Sequence, residues 1–210
     1  MPLPVQTTED LTLTHLTDLS DALFLRVNDV ARASAWLHGP AVAYAKYGLV
    51  LFAGLLLIGA WRRRGAGEVE LASAVWAGLA TLLAIAVNQP IAALVAERRP
   101  YAAHPAALVL VDRSTDWSFP SDHAVMAGAA AVGLLLVSRR LGALAVTAAL
   151  LMAATRVYVG AHYPLDVVAG LCLGGAISGL GWLLARRPLT RLVRTARSLP
   201  VVDRLLAPTA

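Results

Sequence analysis

Three short stretches of the chain carry side chains that suit phosphate chemistry. They are Glu97-Arg98-Arg99-Pro100, Phe119-Pro120-Ser121-Asp122-His123, and Arg156 followed by His162 and Asp166. Arginine guanidinium groups match phosphate oxygens in a bidentate geometry. Histidines act as nucleophiles or proton carriers near neutral pH, and a carboxylate can fix the tautomer of a neighbouring histidine. Together these stretches predict an enzyme that cleaves phosphate groups.

The composition and the apolar segments predict a membrane protein. Hydrophobic residues make up 58% of the 210 residues and charged residues only 15%, unlike an average soluble domain. Five apolar segments are expected to be helices, at about residues 42–60, 69–96, 123–137, 141–158 and 165–185. At about 1.5 Å per residue most of them reach the roughly 30 Å of a hydrocarbon core, and the third is the shortest. The predicted fold class is an all-α integral membrane protein with about five transmembrane helices.

The region before the first apolar segment, residues 1–40, is too polar to form a secretory signal. Within it, residues 18–37 carry apolar side chains at the spacing of one helix face: Leu19, Ala22, Leu23, Val27, Val30 and Ala31. This spacing predicts an N-terminal amphipathic helix that lies on the membrane or against the bundle. We therefore divide the chain into an N-terminal segment (1–40), a transmembrane domain (41–187) and a basic cytoplasmic tail (188–210).

Clusters of arginine predict the orientation of the chain. They follow the first apolar segment, separate the third from the fourth, and follow the fifth: Arg62-Arg63-Arg64, Arg139-Arg140, and Arg186, Arg187, Arg191, Arg194 and Arg197. Alternating crossings place all of them on one side, which the positive-inside rule makes cytoplasmic. The phosphate-chemistry residues then lie on the extracytoplasmic face. Because the net charge of +5 reflects these clusters, it does not indicate nucleic-acid binding.

The local sequence places the motif residues at helix ends. Ser121 is expected to be the N-cap of the third helix, whose N-terminal N–H groups would offer an anion site. Pro164 suits the first turn of the last helix, so Asp166 would lie in that turn, close to His162. Arg99 precedes a proline, which disfavours helix and marks the end of the second segment.

These stretches resemble the motifs of the type-2 phosphatidic acid phosphatase (PAP2) superfamily, which also includes vanadium haloperoxidases. That family's pattern is Lys-x6-Arg-Pro, then Pro-Ser-Gly-His, then Ser-Arg-x5-His-x3-Asp. The matching parts here are Arg99-Pro100, Pro120-Ser121-x-His123 and Arg156-x5-His162-x3-Asp166. The Phe-Pro-Ser-Asp-His sequence is similar to the bacitracin-resistance branch, whose members hydrolyse undecaprenyl diphosphate. The resemblance implies a haloperoxidase-like helical bundle.

The resemblance also implies a role for each motif residue. His162 would be the nucleophile that forms a phosphohistidine, Asp166 would orient it, and His123 would be the general acid. Phosphate oxygens would be bound by Arg99, Arg156, Ser121 and the backbone N–H groups near Asp122 and His123. No metal or other cofactor is expected, because arginines and amides supply the positive field.

The chain departs from the family pattern at the lysine, whose position is Ala92. Arg98 is the candidate to supply the missing charge to the phosphate, and Glu97 is a further candidate participant. The only lysine, Lys46, lies near the outward end of the first segment, and nothing in the sequence places it at the site. Asp122 stands where the family has glycine.

Other polar or small residues are expected to be structural or solvated. His15, His38 and His104 match no partner in the motifs, so solvent exposure is expected for them. The pairs Gly170-x3-Gly174 and Gly175-x3-Gly179 predict close helix packing.

The predicted function is a multi-pass plasma-membrane phosphatase that converts undecaprenyl diphosphate to undecaprenyl phosphate, with the bilayer and a lipid phosphate as its partners. Another lipid phosphate is an alternative substrate: phosphatidylglycerophosphate, phosphatidic acid or a decaprenylphosphoryl sugar phosphate. A non-catalytic lipid-binding or transport protein is a further alternative, although pure binding does not need a nucleophile with an orienting carboxylate. The oligomeric state is not indicated.

Overall fold

The structure, a computed structural model, describes residues 8–200 of the chain, and in this range the fold is helical with no strand. The helices are α1 (Thr8–Ala33), α2 (His38–Arg63), α3 (Glu68–Val95), α4 (Pro100–Ala103), α5 (Asp122–Val137), α6 (Arg139–Tyr158) and α7 (Pro164–Arg197). A 3-10 turn, Ala35–Leu37, joins α1 to α2. Parts of the predicted N-terminal segment (1–7) and tail (201–210) lie outside the described residues.

The predicted transmembrane segments correspond to five of these helices. Four stretches are long and apolar enough to cross a membrane: Ala35–Arg63, Glu68–Ala103, Arg139–Tyr158 and Pro164–Arg197. The fifth, α5, is apolar but has only 16 residues. The prediction of an all-α membrane bundle is confirmed. The last helix runs beyond its predicted end, through Pro188 to Arg197, so the first part of the predicted tail is helical.

The short helix α5 lies at the centre of the bundle, where α2, α3, α6 and α7 surround it. A helix enclosed on all sides is expected to be apolar all round. Most of its buried positions are small: Ala124, Ala127, Gly128, Ala129, Ala130, Ala131 and Gly133. Small residues let neighbouring helices approach closely in a membrane. The sequence of α5 therefore explains both its central position and its tight packing.

Two glycines of α7 allow its close contact with α5. A Cβ at Gly174 would overlap the carbonyl oxygen of Val125 and lie 2.8 Å from the amide nitrogen of Ala129. A Cβ at Gly170 would lie 2.8 Å from the carbonyl oxygen of Ser121. Because these neighbours are backbone atoms, they cannot move aside. The Gly170–Gly174 pair thus brings the start of α5 against the start of α7.

The N-terminal helix α1 packs against the bundle. Phe24 is fully buried in a cluster with Tyr163 and Val167. The Asn28 side chain donates to the Leu108 carbonyl at 2.8 Å and accepts from the Leu108 N–H at 2.9 Å. The predicted N-terminal helix is present, and the side of it that packs on the bundle is not its predicted apolar face. Buried positions are Ser20, Phe24, Asn28 and Ala31, whereas Leu19, Leu23 and Val30 are exposed.

The arginine clusters gather at one end of the helices. Arg63 donates through Nε to the Val137 carbonyl at 3.1 Å, which ties the end of α2 to the end of α5. Arg194 pairs with Glu68 at 2.8 Å, which ties α7 to the start of α3. The motif residues lie at the start of α5, the end of α6 and the start of α7. Because neighbouring helices run in opposite directions, the basic clusters and the motif residues occupy opposite ends of the bundle.

The close α5–α7 contact yields a stability prediction. Gly174→Ala should lower the thermal unfolding midpoint in detergent, because overpacking against immovable atoms costs about 1–3 kcal/mol. Gly175→Ala is the matched control, since its Cβ would lie 3.3 Å from a methyl of the Val132 side chain, which can shift. Circular dichroism melting would compare the two variants. Equal midpoints for both would contradict the packing account.

Candidate active site

A polar cavity of about 370 Å³ opens at the motif end of the bundle. Its walls come from α2, from the loop between α4 and α5, and from the ends of α5 and α6. Five of the predicted site residues line it: Arg99, Asp122, His123, Arg156 and His162. Residues from three separate stretches of sequence therefore meet around one space.

The turn between α6 and α7 presents His162 to this cavity. Gly160 has a φ of +78°, a left-handed conformation that glycine adopts without strain. A Cβ at this position would also overlap the carbonyl oxygen of Leu108. The Ala161 N–H donates to the Arg156 carbonyl at 3.1 Å, which holds the turn to the end of α6. His162 follows directly and is 2% exposed.

Asp166 lies in the first turn of α7, which begins at Pro164 as the sequence indicates. Its carboxylate is fully buried and accepts a hydrogen bond from the Tyr163 N–H at 2.9 Å and one from the Ser118 hydroxyl at 2.5 Å. The distance from Asp166 Oδ2 to His162 Nδ1 is 3.4 Å. The Ser118 hydroxyl that binds this carboxylate lies 3.5 Å from the same nitrogen, so both groups border the Nδ1 side of the ring at more than a normal hydrogen-bond distance.

The hydrogen bonds of His162 determine its tautomer. Nδ1 lies 2.9 Å from the carbonyl oxygen of Ser118, which can only accept, so Nδ1 carries the proton. Nε2 lies 3.1 Å from Nη1 of Arg99, which can only donate, so Nε2 carries the lone pair. The two partners independently require the same tautomer. The lone pair that a nucleophile needs is therefore on the nitrogen next to Arg99.

The surroundings of His162 favour the neutral form of its ring. Burial lowers the pKa of His162, and the positive charges of Arg156 and Arg99 lower it further, although the nearby Asp166 acts in the opposite direction. A charged imidazole has no lone pair to donate. The electrostatics and the tautomer thus both favour a nucleophilic Nε2.

Arg99 is fastened to the cavity wall by several acceptors. Its Nε and Nη2 lie 3.0 Å and 2.8 Å from Oδ1 of Asp116, and its Nη1 donates to the Ala161 carbonyl at 3.0 Å. Burial by itself would raise the pKa of Asp116, but the Ser114 hydroxyl and the charge of Arg99 hold it below its ordinary value. The Asp116 carboxylate therefore binds the Nε and Nη2 groups of Arg99, which a phosphate could otherwise bind.

Two further cations face the same space. Arg156 is buried, and its Nε has no hydrogen-bond partner among the residues that the structure describes. Lys46 lines the cavity from α2 and lies 3.7 Å from Asp112, with both side chains largely exposed. The sequence does not place Lys46 near the motifs. The structure brings a lysine to the cavity even though the family lysine position is Ala92.

Asp122 is held by two side chains from α3. Its Oδ1 accepts from the Asn88 amide at 2.6 Å and from the Gln89 amide at 3.1 Å. Asn88 is fully buried and also donates to the Pro120 carbonyl at 3.0 Å. These bonds fix the backbone at the start of α5. The N–H groups of its first turn point toward the end of the bundle where the cavity lies. Ser121 occupies the predicted N-cap position, but its hydroxyl makes no capping bond and does not line the cavity.

Two predicted site residues, Arg98 and Glu97, lie elsewhere. Arg98 is exposed, and with Glu97 it lines a different pocket beside Asp18 and Tyr163, so neither reaches the cavity that contains His162. The chain turns between Arg98 and Arg99, which sends adjacent side chains in different directions.

The expectation that His104 is solvated is wrong, because its Nε2 lies 2.7 Å from Asp21 and its ring stacks on Phe24.

Sequence reasoning missed three residues of the site: Asn88, Asp116 and Ser118. Ser118 stands just before the recognised Pro-Ser-Asp-His motif, so its position is the only signal that could have pointed to it. Asp116 lies in a loop without periodicity, and Asn88 is one polar residue in an apolar helix. A buried amide in a membrane helix is costly unless it has partners, and this rule would have singled out Asn88.

Comparison with known proteins defines the family. A model of the PAP2 superfamily matches residues 73–188, more than half of the 210 residues. The matched region includes Arg99, the Pro120–His123 motif, Arg156, His162 and Asp166. The chain therefore belongs to the PAP2 superfamily.

Individual relatives are phosphatases that act on lipids. The undecaprenyl-diphosphatase of Sulfolobus acidocaldarius is 34% identical over 152 residues, 70% of this chain and 69% of that protein. The undecaprenyl-diphosphatase BcrC of Bacillus subtilis is 30% identical over 177 residues, 81% and 88% of the two chains. A transmembrane PAP2-type phosphatidylglycerolphosphate phosphatase from Bacillus subtilis is similar in structure over 77% of this chain and 91% of that chain, with a TM-score of 0.44 and 22% identity. This protein is therefore a phosphatase of the PAP2 superfamily.

The hydrogen bonds of Ser118 yield a prediction. Ser118→Ala keeps the carbonyl that fixes the His162 tautomer but removes the hydroxyl that Asp166 binds. We expect kcat to fall about tenfold, or about 1.4 kcal/mol, with KM nearly unchanged, because Ser118 does not line the cavity. Steady-state phosphate release would measure both constants. Ser198→Ala is the control, because within residues 8–200 its hydroxyl bonds the Thr195 carbonyl alone, at the far end of the bundle. An unchanged kcat, or a change in KM alone, would contradict the role of Ser118.

Proposed function

We propose that this protein is an integral-membrane phosphatase that hydrolyses a polyprenyl diphosphate, with undecaprenyl diphosphate as the first candidate. The observation that carries the proposal is the fixed lone pair of His162 Nε2, which lies 3.1 Å from Arg99 at the wall of the cavity. Two of the relatives, both undecaprenyl-diphosphatases, support this choice of substrate. A cavity of about 370 Å³ suits a diphosphate head group and leaves a long lipid chain outside.

In the first step, His162 Nε2 attacks the terminal phosphorus and forms an N–P bond. The bond from that phosphorus to the bridging oxygen breaks, and the lipid monophosphate leaves. His123 in its protonated form donates a proton to the bridging oxygen, which is the general-acid role. Arg99 and Arg156 balance the negative charge of the equatorial oxygens as it redistributes.

In the second step, a water attacks the phosphorus of the phosphohistidine. His123, now neutral, takes a proton from this water, the N–P bond breaks, and phosphate leaves with the lone pair restored to His162. The imidazole ring is positive in the intermediate. The Ser118 carbonyl, 2.9 Å from Nδ1, and the Asp166 carboxylate, 3.4 Å away, stabilise that charge. These two acceptors thus support both the resting tautomer and the intermediate.

The active site is proposed to face the extracytoplasmic side of the plasma membrane. The support is the placement of the arginine clusters at the opposite end of the helices, together with the tendency of cytoplasmic ends to carry the excess of positive charge. A diphosphate lipid released on that side by a glycosyl-polymer transferase would present its head group to the cavity.

A second candidate substrate is a polyprenyl-linked sugar phosphate. The decaprenylphosphoryl-5-phosphoribose phosphatase of Mycobacterium tuberculosis is 40% identical over 105 residues, which is 50% of this chain and 56% of that protein. In such a substrate the leaving group is a sugar hydroxyl rather than a lipid phosphate. Because a hydroxyl is a poorer leaving group, the reaction would depend more strongly on the proton from His123.

A substrate panel tests the proposal. The purified protein in detergent would be given undecaprenyl diphosphate, phosphatidylglycerophosphate, phosphatidic acid and a decaprenylphosphoryl sugar phosphate, each with and without EDTA, and phosphate release would be measured. We expect the highest kcat/KM for undecaprenyl diphosphate, little effect of EDTA, and no turnover by His162→Ala. Asp166→Asn should keep a small residual activity, because orientation of the ring suffers while the nucleophile remains.

Three results would overturn parts of this proposal. Near wild-type turnover by His162→Ala would exclude the phosphohistidine mechanism. A higher kcat/KM for another lipid of the panel would replace the substrate but keep the mechanism. Complete loss of activity in EDTA, restored by magnesium, would mean that arginines alone do not supply the positive charge.

The orientation yields its own prediction. In a Cys172→Ala background, Thr115→Cys lies in the loop beside the cavity and Thr195→Cys lies near the arginine end of α7, and both positions are exposed. A membrane-impermeant maleimide should label Thr115→Cys in intact cells and Thr195→Cys only after lysis. The reverse pattern would place the active site in the cytoplasm.

A further inference from the structure

Lys46 is the only lysine of the chain, and it is the only charged residue of α2 before the arginines at its end. It lies within Ala35–Arg63, a stretch long and apolar enough to cross a membrane. A charged side chain inside such a stretch is costly and marks a functional position by default. The proposed reaction steps give Lys46 no role, although it lines the cavity that contains His162.

The helix α2 holds Lys46 at the cavity through two neighbours on the same helix face. Val42, Ala45 and Lys46 are spaced three and four residues from Val42 and all line the cavity. Ala45 is buried in a cluster with Val159 and Ala161, which belong to the turn between α6 and α7. The packing of α2 on this turn therefore fixes the base of the Lys46 side chain at the cavity wall.

The cations around the cavity lie at two depths. Arg99 and Arg156 are each 8% exposed and His162 is 2% exposed, so these three residues form the deep end. The Lys46 side chain is 58% exposed, so it lies at the mouth. A phosphorus that His162 attacks must lie at the deep end. Any group attached to that phosphorus then extends toward the mouth, where Lys46 is the further cation among the described residues that line the cavity.

The loop between α4 and α5 gives a carboxylate partner to a cation at each depth. Asp116 lies 2.8 Å from Nη2 of Arg99, and Asp112 lies 3.7 Å from Nζ of Lys46. The Asp112 side chain is 96% exposed, and 3.7 Å exceeds a normal hydrogen bond, so this second pair is weak. The Lys46 ammonium, which has three donors, is therefore available to an anion that enters the cavity.

The family motifs do not specify this lysine. The lysine of the family pattern would stand at Ala92 on α3, and no described residue of α3 lines the cavity. Arg98, which the sequence suggests as the substitute, lines a separate pocket. Lys46 comes from another helix and approaches the cavity from another wall, so its role must be inferred from its own position.

We propose that Lys46 binds the lipid-linked phosphate of a diphosphate substrate and thereby selects lipid diphosphates over lipid monophosphates. This proposal rests on the proposed function, since it assigns one further contact of the same site. When the bond between the terminal phosphorus and the bridging oxygen breaks, its electron pair stays on that oxygen, which takes the proton of His123. The ammonium of Lys46 stabilises the charge that develops on the departing phosphate. A lipid monophosphate has no second phosphate for Lys46 to bind.

Kinetics with two substrates of one chain length test the proposal. Lys46→Met removes the charge and keeps an unbranched side chain. We expect kcat/KM for farnesyl diphosphate to fall about tenfold, the effect of one charged hydrogen bond, and kcat/KM for farnesyl phosphate to change less than about twofold. Lys46→Arg should restore most of the activity on the diphosphate, because a guanidinium also supplies charge and donors. An equal loss for both substrates, or no loss for either, would overturn the proposal.

Arg113→Ala is the matched control for the loss of charge. Arg113 lies in the loop between α4 and α5, with its guanidinium carbon 5.4 Å from the centre of the Tyr101 ring, and it does not line the cavity. Its removal weakens the long-range attraction of an anionic substrate as much as removal of Lys46 does. A loss of diphosphate activity as large as that in Lys46→Met would assign the effect to the general field and would contradict a direct contact.

A binding experiment separates failure of the Lys46 role from failure of the proposed reaction. Isothermal titration calorimetry of the purified protein in detergent would use methylenediphosphonate and orthophosphate. We expect Lys46→Met to weaken the binding of methylenediphosphonate about tenfold and to leave the binding of orthophosphate unchanged. Equal weakening of both, weakening of neither, or no binding of methylenediphosphonate by the wild-type protein would overturn the proposal even if undecaprenyl diphosphate is hydrolysed. The expected difference without hydrolysis of undecaprenyl diphosphate would support the role of Lys46 and overturn the proposed function.

Discussion

The imidazole of His162 is held between a group that can only accept a hydrogen bond and a group that can only donate one. The Ser118 carbonyl requires the proton on Nδ1, and the Arg99 guanidinium requires the lone pair on Nε2. A histidine free to change tautomer would present a nucleophilic nitrogen to the cavity only part of the time. These two partners are held in place by three parts of the backbone: the loop before α5, the turn before α7 and the end of α3.

The packing of small residues makes that geometry possible. The Ser121 N–H donates to the Asp166 carbonyl at 3.1 Å, which joins the start of α5 directly to the start of α7. Such a bond needs the two helices at close range, and Gly170 and Gly174 permit it because any Cβ there would meet backbone atoms. In a bilayer, where lipid is as apolar as leucine, close packing rather than hydrophobicity drives helices together. The glycines of α7 therefore help to position Asp166 beside His162.

The sequence predicts those features that depend on residue type and spacing, and misses those that depend on the path of the loops. The apolar runs identify five helices because a membrane requires their length, and the motif offsets identify His123, Arg156, His162 and Asp166. The position of Arg98 could not be predicted, since adjacent residues in an extended segment point in different directions. Lys46 and Asp116 reach the cavity only because α2 and the long loop before α5 fold over it. The side of α1 that packs on the bundle does not follow from apolar spacing, because Asn28 and Ser20 are buried there through specific hydrogen bonds.

The pairing of Arg99 with Asp116 shows how the cavity can hold concentrated positive charge without a substrate. Two arginines at the end of a membrane bundle repel each other, and desolvation makes that repulsion costly. Asp116 offsets the charge of Arg99, yet its side chain is 56% exposed, so water competes with the ion pair and weakens it. In the proposed reaction, an incoming phosphate would bring more charge and more acceptor oxygens than one carboxylate, and it would also meet Arg156, whose Nε lacks a partner in the described part of the chain. Exchange of Asp116 for phosphate on Arg99 would then favour the substrate. Because Asp116 binds Nε and Nη2 of Arg99 while Nη1 contacts Nε2 of His162, the guanidinium would also have to move off Nε2 before that nitrogen attacks.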